Sequence, residues 1–129
     1  MEYYFSKTIK SGSFDEAVQR TVEVLKGEGF GVISEISIDE KLKEKLGVDF
    51  KRYKILGACN PPYAYKALQL EDKIGTMLPC NVLVIEQSEN TFEVAAVNPI
   101  ASMMAIENHA LADIAQEITT KLKSVIKSL

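Results

Sequence analysis

The chain has 129 residues, of which 47% are hydrophobic and 26% charged, and a net charge of −3. This length and composition predict a single domain over residues 1–129 whose core needs no disulfide or structural metal. The acidic balance argues against a nucleic-acid-binding protein, and no apolar run approaches the roughly 20 residues of a membrane span. Since no signal peptide is visible, we expect a cytoplasmic protein with both cysteines as thiols.

The first predicted elements are a strand and a helix. Alternating side chains predict a strand over residues 2–9. Ser13 and Glu16 then have the spacing of a capping box, which opens an amphipathic helix. Gly29 is suited to end that helix in the left-handed conformation.

A second strand is predicted over residues 30–38. The residues expected on one face of this strand are Val32, Ile36 and Ile38. Asp39 is predicted to cap a short helix that stops at Gly47 and lies over the sheet as a connection.

The middle of the chain predicts a third strand over residues 53–58, followed by a helix. Asn60 is the predicted cap of this helix, and Pro61 suits its first position because the missing amide donor costs nothing there. Ala64 and Ala67 give the helix a small-residue inner face. Residues 72–79 are expected to be irregular.

The last part of the chain predicts a hairpin and a long helix. Residues 81–86 are nearly all apolar, which indicates a central strand, and residues 91–97 form its hairpin partner. Asn98 and Pro99 repeat the arrangement of a cap followed by proline. An apolar stripe then predicts the longest helix over residues 106–127.

The predicted fold is therefore α+β, with the order β-α-β, short α, β-α-β-β-α. We expect one five-stranded, largely antiparallel sheet with helices packed on one face. Such a sheet leaves an edge strand exposed, and pairing that edge with a second copy would bury it. Exposed aromatic residues also favour a homodimer, and they are Tyr3, Tyr4, Tyr63 and Tyr65.

Both cysteines are followed by asparagine, at the ends of two strand-like runs. The two motifs are Gly-Ala-Cys-Asn-Pro at residues 57–61 and Leu-Pro-Cys-Asn-Val at residues 78–82. The hairpin places Cys80 and Asn81 at the same end of the sheet as Asn98. Cys59 and Asn60 join them if the third strand is antiparallel to the fourth.

These two motifs resemble those of the domain of unknown function 302 family. The resemblance covers about 30 residues and extends through Ala64, Ala67, Ile74 and Gly75, between the two motifs. It implies an α+β fold that is often found as a dimer. It implies no reaction, because no activity is established for that family as a class.

Four interpretations of the cysteines remain open. Both can be small buried hydrophobic residues, which free cysteine often is. They can form a metal site with His109, to which Glu71 or Glu107 could add a ligand. They can also form a redox dithiol, or one of them can be a nucleophile paired with His109. The spacing lacks the close Cys-x-x-Cys pair that marks most zinc and dithiol sites.

The asparagines also have alternative roles. Asn60 and Asn98 are explained as helix caps, and their helix starts would aim free amides at the corner and favour an anionic or carbonyl-bearing ligand. Asn81 opens a strand, so a buried amide there would either tie two loops together or contact a ligand. Met103, Met104 and His109 follow the fifth strand and are positioned to roof the same corner.

We therefore predict a homodimeric binding protein rather than an enzyme. Its pocket would take a small molecule or a metal ion, and it would be formed by Cys59, Asn60, Cys80, Asn81 and Asn98. The alternatives are a thiol-dependent enzyme or redox protein that uses one or both cysteines, and a purely structural role for both motifs. The residues specify no cofactor.

Overall fold

The computed structural model describes residues 2–129, which form one antiparallel sheet with helices on one face. The strands are β1 (Tyr4–Lys10), β2 (Gly31–Ser37), β3 (Tyr53–Cys59), β4 (Cys80–Ser88) and β5 (Thr91–Val97). The helices are α1 (Phe14–Gly27), α2 (Ile38–Leu46), α3 (Pro61–Leu70), α4 (Pro99–Ser102) and α5 (Ala112–Ser128). Two 3₁₀ helices cover Asp72–Met77 and His109–Leu111. The α+β fold and the single five-stranded sheet are confirmed.

The strand order is β1-β5-β4-β3-β2, and all four neighbouring pairs are antiparallel. The core lies between the inner face of the sheet and helices α1 and α5. Alternate residues of the central strands supply this face, including Leu56, Val82 and Val94, which are fully buried. Leu25 of α1 and Leu122 of α5 pack onto them.

The local signals of helix α1 are confirmed. Ser13 Oγ accepts a hydrogen bond from the Glu16 amide at 3.1 Å. The returning bond of the capping box shifts by one residue, because Glu16 Oε2 accepts from the Gly12 amide at 3.1 Å. Gly29 follows the helix with a φ of +88°, and the Phe30 amide donates back to the Leu25 carbonyl at 3.0 Å, which closes the helix end.

The face predicted for the side chains of β2 is wrong. The register shifts at Ile33, so Val32 pairs with Ala58 on the inner face whereas Ile36 pairs with Ile55 on the opposite face. This bulge inserts one residue and reverses the alternation, and Ile38 already belongs to α2. Helix α2 connects β2 to β3, as predicted, and none of its residues is buried.

The capping role predicted for Asp39 is also wrong. Asp39 Oδ1 accepts a hydrogen bond from the Tyr53 amide at 3.1 Å, which ties α2 to the start of β3. Ser37 occupies the cap position of α2 without a side-chain bond. At the other end, Gly47 has a φ of +67° and its amide bonds to the Lys43 carbonyl at 2.9 Å, so the predicted helix stop is confirmed.

The C-terminal region is more divided than the sequence predicted. The cap at Asn98 opens only the one-turn helix α4, and the long helix α5 begins at Ala112 rather than near residue 106. The residues 72–79 expected to be irregular contain the 3₁₀ turn Asp72–Met77. None of the helices within the described residues combines the length and hydrophobicity that crossing a bilayer requires.

Candidate functional site

The antiparallel arrangement brings the two Cys-Asn motifs to one end of the sheet. Strand β3 ends at Cys59 where β4 begins at Cys80, and Ala58 and Cys80 are direct cross-strand partners. Because β4 also pairs antiparallel with β5, the end of β5 lies at the same edge. The ends of β3 and β5 and the start of β4 therefore lie together at one end of the sheet, as predicted.

A cavity of about 350 Å³ opens at this corner, between the inner face of the sheet and helices α3 and α5. Its size lies within the range of pockets that hold small organic ligands. Its wall is mainly apolar and is formed by Phe30, Ile33, Ala58, Cys59, Asn60, Tyr63, Ala64, Ala67, Leu68, Gly75, Leu78, Pro79, Cys80, Met103, Ile114, Ala115 and Ile118. We call this space the corner cavity.

The corner cavity exists because the helix face opposite the strand ends carries small side chains. Ala64 and Ala67 of α3 line it, and Ala115 of α5 does so from the other side. The sequence did show the small-residue face of α3. It did not show that α5 would form the opposite wall, because that wall depends on how α3 and α5 pack against the sheet.

Both cysteines are free thiols, and both line the corner cavity. Cys80 is buried, and its burial, followed by the proximity of Cys59, raises its pKa to about 11. The Cys80 thiol is therefore protonated at neutral pH, whereas a nucleophile or redox thiol reacts as the thiolate. This geometry favours the interpretation of Cys80 as part of an apolar wall.

Asn60 occupies the cap position of α3, but its side chain makes no capping bond. The reason is the double proline that follows, since Pro61 and Pro62 carry no amide hydrogen. The next amides, of Tyr63 and Ala64, already donate to the Asn60 carbonyl at 3.1 and 3.0 Å. The expectation of free amides aimed at an anionic ligand is therefore wrong for α3.

The side-chain amide of Asn60 serves a different purpose. Its nitrogen donates to the Glu28 carbonyl at 3.3 Å, which orients Oδ1 away from that carbonyl. Within residues 2–129, Oδ1 of Asn60 has no hydrogen-bond partner. Every side-chain oxygen or nitrogen that is fully enclosed among these residues does have one. Oδ1 is therefore accessible, at a residue of the cavity wall, and it can accept a hydrogen bond.

Asn81 and Asn98 lie outside the corner cavity. Asn81 is exposed on the opposite face of the sheet, because successive strand residues alternate between faces, so the buried amide expected there is not formed. Asn98 is buried, and its side chain is used structurally. Its Oδ1 caps α4 by accepting from the Ile100 amide at 3.1 Å, and its nitrogen donates to the Glu2 carbonyl at 3.0 Å.

The predicted metal ligands do not assemble. No group of three or more His, Cys, Asp and Glu side chains within residues 2–129 is placed to hold a metal ion. His109 starts a 3₁₀ turn on the surface and does not line the corner cavity with Cys59 and Cys80. Of the residues expected to roof the corner, Met103 does so, whereas Met104 is exposed.

The family model of the domain of unknown function DUF302 matches residues 5–129. The chain belongs to the DUF302 family. A structure similar to this DUF302 chain is that of the uncharacterized conserved protein DUF302 from Bacillus stearothermophilus. That protein is 31% identical, 98% of each chain is covered, and the TM-score is 0.88. No curated protein matches the chain. The family confirms the fold that the two motifs implied.

Proposed function

We propose that this DUF302 domain binds a small, uncharged and largely apolar molecule in the corner cavity. The observation that carries the proposal is a cavity of about 350 Å³ with an apolar wall. That wall includes Asn60, whose Oδ1 has no hydrogen-bond partner within residues 2–129. Sites of this kind gain affinity from apolar contact and orientation from few polar groups. A ligand with one N–H or O–H donor would fit this arrangement.

The lack of charged side chains in the described wall of the corner cavity argues for an uncharged ligand. No lysine, arginine, aspartate or glutamate is among the described residues that line the corner cavity. The start of α3 offers no free amide because of its double proline, and Cys80 stays protonated. A charged ligand would lose its hydration without gaining a partner.

The test uses two fluorescent probes that differ mainly in charge. N-phenyl-1-naphthylamine is neutral and has one N–H donor, and 1-anilinonaphthalene-8-sulfonate adds a sulfonate to the same ring system. We expect saturable fluorescence enhancement with the neutral probe at one site per chain. We expect binding of the sulfonate to be at least about tenfold weaker, since its charge is unpaired in the cavity.

A matched pair of variants locates the binding. Ala64→Trp fills the corner cavity and is expected to abolish binding of the neutral probe, whereas Ala112→Trp adds the same ring at an exposed position of α5 and leaves it unchanged. Equal binding of both probes, or binding that survives Ala64→Trp in a folded protein, would contradict the proposal. Far-ultraviolet circular dichroism reports the fold of each variant.

We also propose that the domain functions as a homodimer, in which a second copy covers β2 and α2. Helix α2 has nine residues and none is buried, although a helix of this length is marginal without packing. Leu46 is 68% exposed and Ile33 of the edge strand β2 is 66% exposed, with Val48 and Phe50 also exposed nearby in sequence. A second copy would bury these side chains and pair the unpaired edge.

A further inference from the structure

The sheet face opposite the helices carries a groove of about 390 Å³ that the corner cavity does not use. Three tyrosines line it: Tyr3 and Tyr4 from the start of the chain and Tyr53 from the start of β3. Glu93 of β5 and Asn81 of β4 also line it. We call this space the tyrosine groove.

The tyrosines line the groove beside residues of the sheet that are nearly buried. Ile85 and Ala95 are only 8% and 6% exposed, and no helix residue is among the described residues that line the groove. The rings of Tyr3 and Tyr4 meet edge to face, with centroids 5.0 Å apart and planes at 68°. The Tyr3 backbone is held in place because its carbonyl accepts from the Asn98 amide at 2.8 Å.

Glu93 places a negative charge in this groove without a cationic partner. Its direct cross-strand neighbours on β1 and β4 are Thr8 and Ile85, both uncharged. Within residues 2–129 Glu93 forms no ion pair, and its side chain accepts one hydrogen bond, from Gln87 Nε2 at 2.9 Å. Burial is the largest cause that raises the pKa of Tyr53, and the nearby Tyr3 and Glu93 raise it further.

We propose that the tyrosine groove binds a small organic cation, such as a quaternary or methylated ammonium group. Aromatic faces attract such cations through the ring quadrupole, and an unpaired carboxylate adds charge attraction. The apolar floor of Ile85 and Ala95 suits the methyl groups, which do not donate hydrogen bonds. This proposal does not depend on the corner cavity, which lies on the other face of the sheet.

The probe is choline, and 3,3-dimethylbutan-1-ol serves as its neutral isostere. Two-dimensional aromatic and backbone NMR of the intact protein follows the signals of Tyr3, Tyr4 and Tyr53 during titration. We expect saturable shifts with choline at millimolar concentrations, and binding of the alcohol at least about tenfold weaker, because it lacks the charge that the rings and Glu93 recognise.

Three variants separate the contributions of charge and ring, and a fourth is the control. Glu93→Gln keeps the shape and removes the charge, so we expect about three- to tenfold weaker choline binding. Tyr53→Phe keeps the ring and is expected to stay within about twofold, whereas Tyr53→Leu loses at least about threefold. Tyr65→Leu removes an exposed tyrosine of α3 on the other side of the sheet and is expected to leave binding unchanged.

Several results would overturn the proposal. Choline and its neutral isostere could shift the same signals equally, which would make the groove merely apolar. Choline binding could also be unchanged in a folded Glu93→Gln protein. Finally, the groove signals could fail to respond at saturating choline, as they would if a second copy covers this face.

Discussion

At the scale of single residues, the two cysteines of one cavity differ in burial. Cys59 is half-buried at the end of β3, whereas Cys80 is buried and its pKa is raised to about 11. The cause is burial first and the neighbouring Cys59 second. Since the thiolate is the reactive form, Cys80 is expected to behave as an inert thiol in the folded protein.

The inertness of Cys80 can be tested in a Cys59→Ala variant, in which Cys80 is the one cysteine. This variant keeps the burial that is the larger cause of the raised pKa of Cys80. At pH 8, a pKa of about 11 leaves about one thiol in a thousand ionised, so labelling by a disulfide reagent is expected to be slow. The rate should rise about tenfold per pH unit up to the pKa. Labelling in urea is the control, and fast native labelling at pH 7 would contradict the assignment.

The same shift has a consequence for stability, whose sign follows from the two pKa values. The folded-state pKa of about 11 lies above the ordinary value of 9.0, so the unfolded chain ionises first as pH rises. The contribution of the Cys80 thiol to the free energy of unfolding is fully present below about pH 9 and is lost as the pH rises towards 11.

At the scale of elements, the start of α3 departs from the usual rules of helix capping. Asn60 stands in the cap position, but the two prolines after it remove the amides that a cap would bind. Its nitrogen instead connects α3 to the carbonyl of Glu28, at the end of α1. Asn60 is thus a tie between two helices.

Replacing Asn60 by aspartate tests whether its side chain connects α3 to α1 or caps α3. Aspartate is as good a helix cap as asparagine, yet Asn60→Asp is expected to destabilise the fold by about 1–3 kcal/mol, because a carboxylate would face the Glu28 carbonyl. Ser13→Asp is the control, since Ser13 does cap α1, and it is expected to stay within about 0.5 kcal/mol. Urea unfolding measures both, and a neutral Asn60→Asp would favour the capping role.

Local signals predicted most of the fold and only part of the site. The capping box at Ser13, the glycine stops and the hairpin depend on neighbouring residues, so they could be read from the sequence. The bulge at Ile33 depends on the pairing of β2 with β3 across the sheet. The corner cavity likewise depends on how α3 and α5 pack, which no local pattern encodes.

At the scale of the whole molecule, the second copy is expected to leave a measurable signature. Light scattering at high micromolar concentration should give twice the chain mass of 14.3 kDa. Leu46→Glu combined with Val48→Glu should give a monomer, because charges would be buried at the proposed interface. Met104→Glu, at an exposed residue outside β2 and α2, should remain a dimer, and a clean monomer mass for the unchanged chain would contradict the proposal.

The alternation of β4 divides a motif that looks like one unit in the sequence. Cys80 faces the corner cavity, while Asn81, the next residue, faces the tyrosine groove. The two side chains are therefore separated by the thickness of one sheet and serve different neighbours. Under selection, substitutions at position 80 are expected to covary with those in the apolar wall of the corner cavity. Substitutions at position 81 are expected to covary with those at the tyrosines, so the two positions should vary independently of each other.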